Sequence, residues 1–169
     1  KVEKTLGKIK EKDFSMLKLE LQTYYNLKKF AKAALLLEPL AKLTNNAGEL
    51  AEIYFFIGIC LNNVNQKERA IQCLEYSINY DDSISNRYAV YNLFILYYQV
   101  EKYRQLDQLS IKLIKWQEFY VNTLVVLAKS YAKRENKEKL VDTTFKIIPH
   151  AAELSEQDFV DISRFILST

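Results

Sequence analysis

The sequence predicts an all-α fold built from stacked helical hairpins, and three observations carry that prediction. Glycine and proline are scarce, three and two in 169 residues. That is too few for the turns of β-meanders or alternating α/β layers. Apolar residues recur three and four positions apart in segment after segment, the spacing of a helix face. Finally, Ala51 to Ile84 reads as two such helices joined by a polar break. A unit of that kind cannot bury its apolar face alone, so neighbouring units are required.

The second unit, near 51–84, is the best formed. Tyr54, Ile57 and Leu61 share one face of its first helix, with Gly58 placed where a second helix can approach closely. After the break from Asn62 to Glu68, Ala70, Leu74, Ser77 and Ile78 resume helical spacing. Downstream, Leu124, Leu127-Ala128 and Tyr131, then Leu140, Thr144, Ile147 and Ile148, repeat the pattern near 121–153, with Pro149 ending the second helix early. Between them, near 87–120, Val90, Leu93-Phe94 and Tyr97 precede Tyr103, Leu106, Ser110, Leu113 and Ile114. Here Phe94 stands where a small residue is expected and Ser110 where a large one is. Upstream, near 14–47, Leu17, Leu21 and Tyr24 lead to Phe30, Ala33, Leu37, Leu40 and Ala41. Pro39 lies inside that second helix and should kink or shorten it, because proline removes a backbone donor.

The pattern of Ala51–Ile84 resembles the tetratricopeptide repeat. The resemblance implies a right-handed α-α superhelix of about four hairpins within a single domain spanning 1–169. The remaining segment, 155–168, reads as a C-terminal capping helix. Ser155 followed by Asp158 is a capping-box-like start, and Phe159, Ile162, Phe165 and Ile166 form one apolar stripe. The lysine-rich beginning, with Val2, Leu6 and Ile9 irregularly spaced, reads as a loosely docked helix.

Composition bounds the remaining possibilities. The apolar fraction of 49% is that of an ordinary core, and a chain of this length buries roughly 70% of its unfolded surface. No apolar run is long enough to span a bilayer. No secretory signal is visible, but the first residue is Lys1, so the N-terminus reads as trimmed. The compartment stays open between cytoplasm and bacterial periplasm or cell envelope. The net charge of +3 is unevenly spread: Lys1–Lys12 and Lys129–Lys139 are basic, whereas Gly48–Ile84 is acidic. Solvated helix faces and the steering of a charged partner both fit that bias.

Nothing in the sequence indicates a reaction. Cys60 and Cys73 read as buried thiols inside one hairpin, with a disulfide between them left open. With a single histidine, His150, they cannot make up a metal site. Asp81-Asp82 reads as a turn. No glycine-rich phosphate loop and no glycine-flanked serine nucleophile occurs. No cofactor is expected, and no enzyme.

The resemblance further implies that first helices line a concave groove. On that side the first unit offers Lys18, Gln22, Tyr25 and Asn26, and the second Glu52, Phe55, Ile59, Asn62 and Asn63. The third offers Tyr88, Tyr91, Ile95, Tyr98 and Gln99, and the fourth Asn122, Val125 and Lys129. Rings beside amides suit a peptide: rings cover apolar side chains at low entropic cost, and amides pair with main-chain groups. The expected partner is therefore a peptide or helical segment of another protein, held by a non-catalytic scaffold. The basic carboxylate clamp used by one branch of the family is replaced here by Phe55, Phe56 and Ile59, which disfavours C-terminal-peptide capture of that kind. Two other readings stand beside this one. The first is an oligomerising domain, or one that binds an apolar small ligand. The second is a nucleic-acid binder working through the basic ends.

Overall fold

The computed structural model describes residues 13–80 and 84–168. The expected N-terminal helix around Val2, Leu6 and Ile9 and the expected turn at Asp81-Asp82 lie outside these residues. Among the described residues all regular structure is helical, without a strand. The chain forms two compact units, Lys1–Asn86 and Arg87–Thr169.

The first unit contains α1 (Phe14–Asn26), α2 (Phe30–Ala34), α3 (Leu37–Ala41), α4 (Ala47–Asn63) and α5 (Lys67–Tyr80). Asp13 and Asn46 cap α1 and α4 by accepting from the N–H groups of Met16 and Glu49. The α4–α5 pair forms the tightest seam. Ile57, Cys60, Leu61, Ala70 and Leu74 are fully buried there. A Cβ at Gly58 would lie 2.9 Å from Leu74 Cγ and 3.4 Å from the Ala70 carbonyl oxygen. Glycine is needed at this crossing for proximity, not for conformational freedom. Ser77 tightens the same seam by donating its hydroxyl to the Ala51 carbonyl at 2.8 Å. Cys60 and Cys73 are free thiols, both buried, and burial pushes each pKa up to about 11.

Proline shapes the neighbouring hairpin. Pro39 lacks the N–H that would bond the Leu35 carbonyl, and the helix breaks at Leu35–Leu36 into α2 and α3. Pro39 then occupies the first turn of α3, where a missing donor costs little.

The second unit holds α6 (Ile84–Gln99), which begins at the unit boundary, followed by α7 (Tyr103–Leu113) and α8 (Gln117–Lys133). It continues with α9 (Lys137–Ile147), a 3-10 turn (Ile148–Glu153) and α10 (Glu156–Ser168). Pro149 sits at the start of the 3-10 turn and separates it from α9. Phe94 is completely buried and Ser110 is buried as well, its hydroxyl donated to the Asp107 carbonyl. Arg134 fastens α8 to α7. Its guanidinium makes two bonds to Asp107, at 2.9 and 3.0 Å, and lies over the rings of Tyr103 and Tyr131. The hydrogen bonds to Asp107 raise the Arg134 pKa despite partial burial.

Lys129 fastens α10 to α8, reaching Asp158 at 2.6 Å and Asp161 at 3.0 Å. Ser155 caps α10, accepting from the Asp158 N–H and donating its hydroxyl to the Asp158 carboxylate. Of the apolar stripe on this helix, Ile162 is buried, whereas Phe159 and Ile166 are exposed. The helix covers α8 and α9 with one row of side chains rather than with the whole stripe.

Four turns close in the same way. After the first helix of each hairpin, one residue adopts a left-handed φ: Lys28 at 55°, Asn65 at 61°, Glu101 at 60° and Glu135 at 55°. The following N–H then reaches back to a carbonyl five residues earlier. Lys29 bonds Tyr24 at 2.8 Å, Gln66 bonds Leu61 at 2.9 Å, Lys102 bonds Tyr97 at 2.9 Å, and Asn136 bonds Tyr131 at 3.0 Å. This is the Schellman closure, whose left-handed residue is usually glycine. An ordinary residue in that region costs roughly 1–2 kcal/mol, a cost offset here by the packing of the two helices that the turn joins.

Candidate protein-interaction surface

In each unit, first helices of successive hairpins lie side by side. In the first unit the early residue Lys18 of α1 reaches Glu52 of α4 at 2.6 Å. Later on the same helix, the Tyr25 ring meets Phe56 edge-on at 5.2 Å. Early residues pair with early and late with late, so α1 and α4 run parallel. Tyr25 also contacts Phe30, and Phe55 meets Phe56 at 5.4 Å. Tyr25, Phe55, Ile59 and Asn62 are half-buried, and Asn26 is exposed. Phe55 and Ile59 lie one turn apart on α4, so the structure places them on one strip of its surface. The Asn63 amide donates one N–H to the Ile59 carbonyl at 2.9 Å.

The second unit repeats the arrangement. Arg87 at the start of α6 pairs with Glu118 at the start of α8 at 3.0 Å. Glu101, just past the end of α6, pairs with Lys133 at the end of α8 at 3.4 Å. Between these ties sits a ring cluster. Phe119 stacks on Tyr91 at 4.8 Å, receives Tyr88 edge-on at 5.4 Å, and touches Trp116 at 6.3 Å. Arg87 lies over the Trp116 ring. Tyr88 is 50% exposed, whereas Tyr91 is half-buried, and burial raises the Tyr91 pKa. Tyr98 is half-buried and carries Lys133 over its ring at 5.3 Å.

Some residues expected on this surface do other work. Val125 is buried, so it lines no open face. Lys129 is consumed by Asp158 and Asp161. Its pKa is raised because the bonds to the two carboxylates outweigh the opposing effect of burial. Burial also opposes ionisation of Asp158, but the Lys129 and Ser155 bonds prevail and lower its pKa. Trp116 and Phe119 escaped the sequence reading because the fourth hairpin was expected to begin at 121, whereas α8 starts at Gln117 with Trp116 just ahead of it and Phe119 in its first turn.

The basic stretch Lys129–Lys139 is largely neutralised within its own unit. Lys129, Lys133 and Arg134 have acidic partners, and Lys139 lies over the Tyr131 ring. His150 contacts the Tyr120 ring and bonds Glu153 at 2.8 Å. Among the described residues no group of three or more His, Cys, Asp or Glu is placed to hold a metal ion. No helix among them is long and apolar enough to cross a membrane.

Parallel first helices, Schellman turns and hairpin seams together define an all-α helical-repeat protein. No protein-family model matches the chain, and no curated protein matches its sequence. Two solved structures share the fold. The structure of the MamA RS-1 ArsTM double mutant aligns with a TM-score of 0.72 at 14% identity, covering 92% of this chain and 95% of that one. That of MamA MSR-1 C2 aligns with a TM-score of 0.63 at 16% identity, covering 92% and 97%. At such identities the likeness establishes the fold, a tetratricopeptide-like helical repeat.

Proposed function

We propose that this protein is a non-catalytic scaffold that holds a peptide or helical segment of a partner protein on its first-helix faces. The four hairpins, near 14–47, 51–84, 87–120 and 121–153, act as repeats of one unit. The observation that carries this reading is the ring cluster of Tyr88, Tyr91, Phe119 and Trp116 between parallel α6 and α8, with Tyr88 half open to solvent. Exposed rings over a rigid aromatic base are suited to covering an apolar side chain without losing rotamer freedom. Tyr25, Asn26, Phe55, Ile59 and Asn62 supply the corresponding surface in the first unit, and Tyr98 extends it along α6. The shared fold with helical-repeat proteins supports the general role of a protein-interaction scaffold.

Photo-crosslinking tests the assignment. A photoreactive amino acid placed at Asn26, Phe55 or Tyr88 should trap a partner whose crosslinked peptides are read by mass spectrometry. Placed at Ile111 or Phe145, exposed positions on α7 and α9, it should trap little. Equal or stronger trapping at those second-helix positions would refute the first-helix face. As a second check, Phe55→Ala with Tyr88→Ala should abolish capture of that identified partner while the helical circular dichroism shows the chain still folded.

A further inference from the structure

The ring cluster at the start of α8 is rich in hydrogen-bond donors that the chain itself does not use. Phe119, 5% exposed, is its base. Tyr91 lies within 14° of that ring plane, whereas Tyr88 and Trp116 stand steep to it, at 90° and 65°. Among the described residues, the hydroxyls of Tyr88, Tyr91 and Tyr98 and the indole N–H of Trp116 have no hydrogen-bond partner. Trp116 lends α8 no side-chain cap, so the Gln117 N–H at the helix start is open as well. Acceptors are scarcer. The carboxylate of the cluster, on Glu118, is held by Arg87 at 3.0 Å and by its own N–H.

A surface of rings and open donors selects among occupants. A helix keeps its carbonyls for itself, so laid over this cluster it would bury donors without partners. A β-strand brings as many N–H groups as carbonyls, and it finds no sheet edge, because all regular structure among the described residues is helical. A proline-rich segment in the polyproline II conformation is the complement. Its carbonyls make no internal bonds, its prolines carry no N–H, and its pyrrolidine rings pack on aromatic faces. The length agrees too. Tyr88, Tyr91, Ile95 and Tyr98 share one face of α6, and the step from Tyr88 to Tyr98 rises roughly 15 Å along the helix, the reach of about five residues of polyproline II.

We infer that the partner segment held on α6 and α8 is proline-rich and binds as a polyproline II helix, its carbonyls accepting from Tyr88, Tyr91 and Trp116. The inference rests on the first-helix face being the binding face, and it narrows the occupant to one conformation and one composition. Such a ligand arrives already extended, so binding it forfeits little chain entropy.

Trp116 is the only tryptophan of the chain, so its fluorescence reports occupancy of the cluster directly. Titrated into the chain, an oligoproline of about nine residues, three turns of polyproline II, should shift Trp116 emission to a plateau. A glycine–serine peptide of the same length should not. Tyr88→Phe with Tyr91→Phe keeps both rings and removes two donors, and it should weaken oligoproline binding about tenfold. Phe145→Ala, on α9, should leave binding unchanged. Helical circular dichroism verifies that both variants are folded. Absence of a saturable shift with oligoproline overturns the inference. So does an equal response to the glycine–serine peptide, or undiminished binding by the double phenylalanine variant. Photo-crosslinking separates this inference from the reading beneath it. A helical, proline-free segment trapped at Tyr88 overturns the proline-rich ligand and leaves the scaffold standing, whereas trapping at Tyr88 no stronger than at Ile111 or Phe145 overturns both.

Discussion

The α4–α5 seam of the first unit and the α8 seams of the second differ in what accompanies their buried apolar residues. The first is a fit of shapes: a glycine lets Leu74 come within a Cβ's reach of α4, and the residues around the crossing are fully buried. The second also buries apolar residues, Leu106, Ala128 and Ile147 among them, and adds long cations. Arg134 bridges α8 to Asp107, and Lys129 bridges α8 to α10. A shape-fitted seam is intolerant of added volume and indifferent to pH and salt. A charge-tied seam tolerates small changes of volume but depends on the ionisation of its members. Substitutions at the two places should therefore fail in different ways.

The largest effect is expected at the fitted seam. Leu61→Ala should cost about 2–5 kcal/mol in urea or guanidinium unfolding, because a fully buried side chain leaves a cavity. Gly58→Val should cost about 1–3 kcal/mol by forcing Leu74 away from α4, offset only in part by the gain in helix propensity. Neither loss should change with salt. At the charge-tied seam, Arg134→Ala should cost about 1–2 kcal/mol. Arg134→Lys should recover little of it, since an ammonium cannot reproduce the paired bonds to Asp107.

A smaller change should follow pH at α10. Asp158 has a lowered pKa, so its contribution is complete above the ordinary carboxylate range and disappears as pH falls through its folded value. Lys129 has a raised pKa, so its contribution holds below the ordinary lysine range and disappears as pH rises through its folded value. Hydrogen exchange of α10 should therefore quicken at strongly acidic pH before that of α5 does. The smallest effect has the opposite sign: Glu135→Gly should stabilise the chain by up to about 1 kcal/mol, because glycine meets no Cβ penalty at positive φ. Loss of stability there would mean that the Glu135 side chain makes a contact worth more than the backbone strain.

The sequence exposed whatever depends on local spacing. Helical periodicity located the hairpins, Gly58 pointed to the close crossing, Pro39 to the broken helix and Ser155 to the start of α10. Long-range polar ties were not legible, because no periodicity relates Arg134 to Asp107 or Lys129 to Asp158. The four turns were hidden for a different reason. Scarce glycine correctly signalled helices, but it also removed the usual mark of their ends, and Lys28, Glu101 and Glu135 look like ordinary surface residues. The residues expected on the first-helix face met different fates. Tyr88 is half open to solvent, while Val125 and Lys129 were drawn into contacts that only the folded chain creates.

Those four corners have one more consequence. Lys28, Asn65, Glu101 and Glu135 share a backbone shape although they span a cation, an amide and two acids, and all four side chains are exposed. The fold fixes the path of the chain at each corner, and the side chain of Lys28, Asn65 or Glu135 can change among residues that accept a positive φ, whereas Glu101 also pairs with Lys133. The corners at Lys28, Asn65 and Glu135 are thus slots that can be refitted with a charge, a tag or a chemical label without shifting the register of the helices on either side.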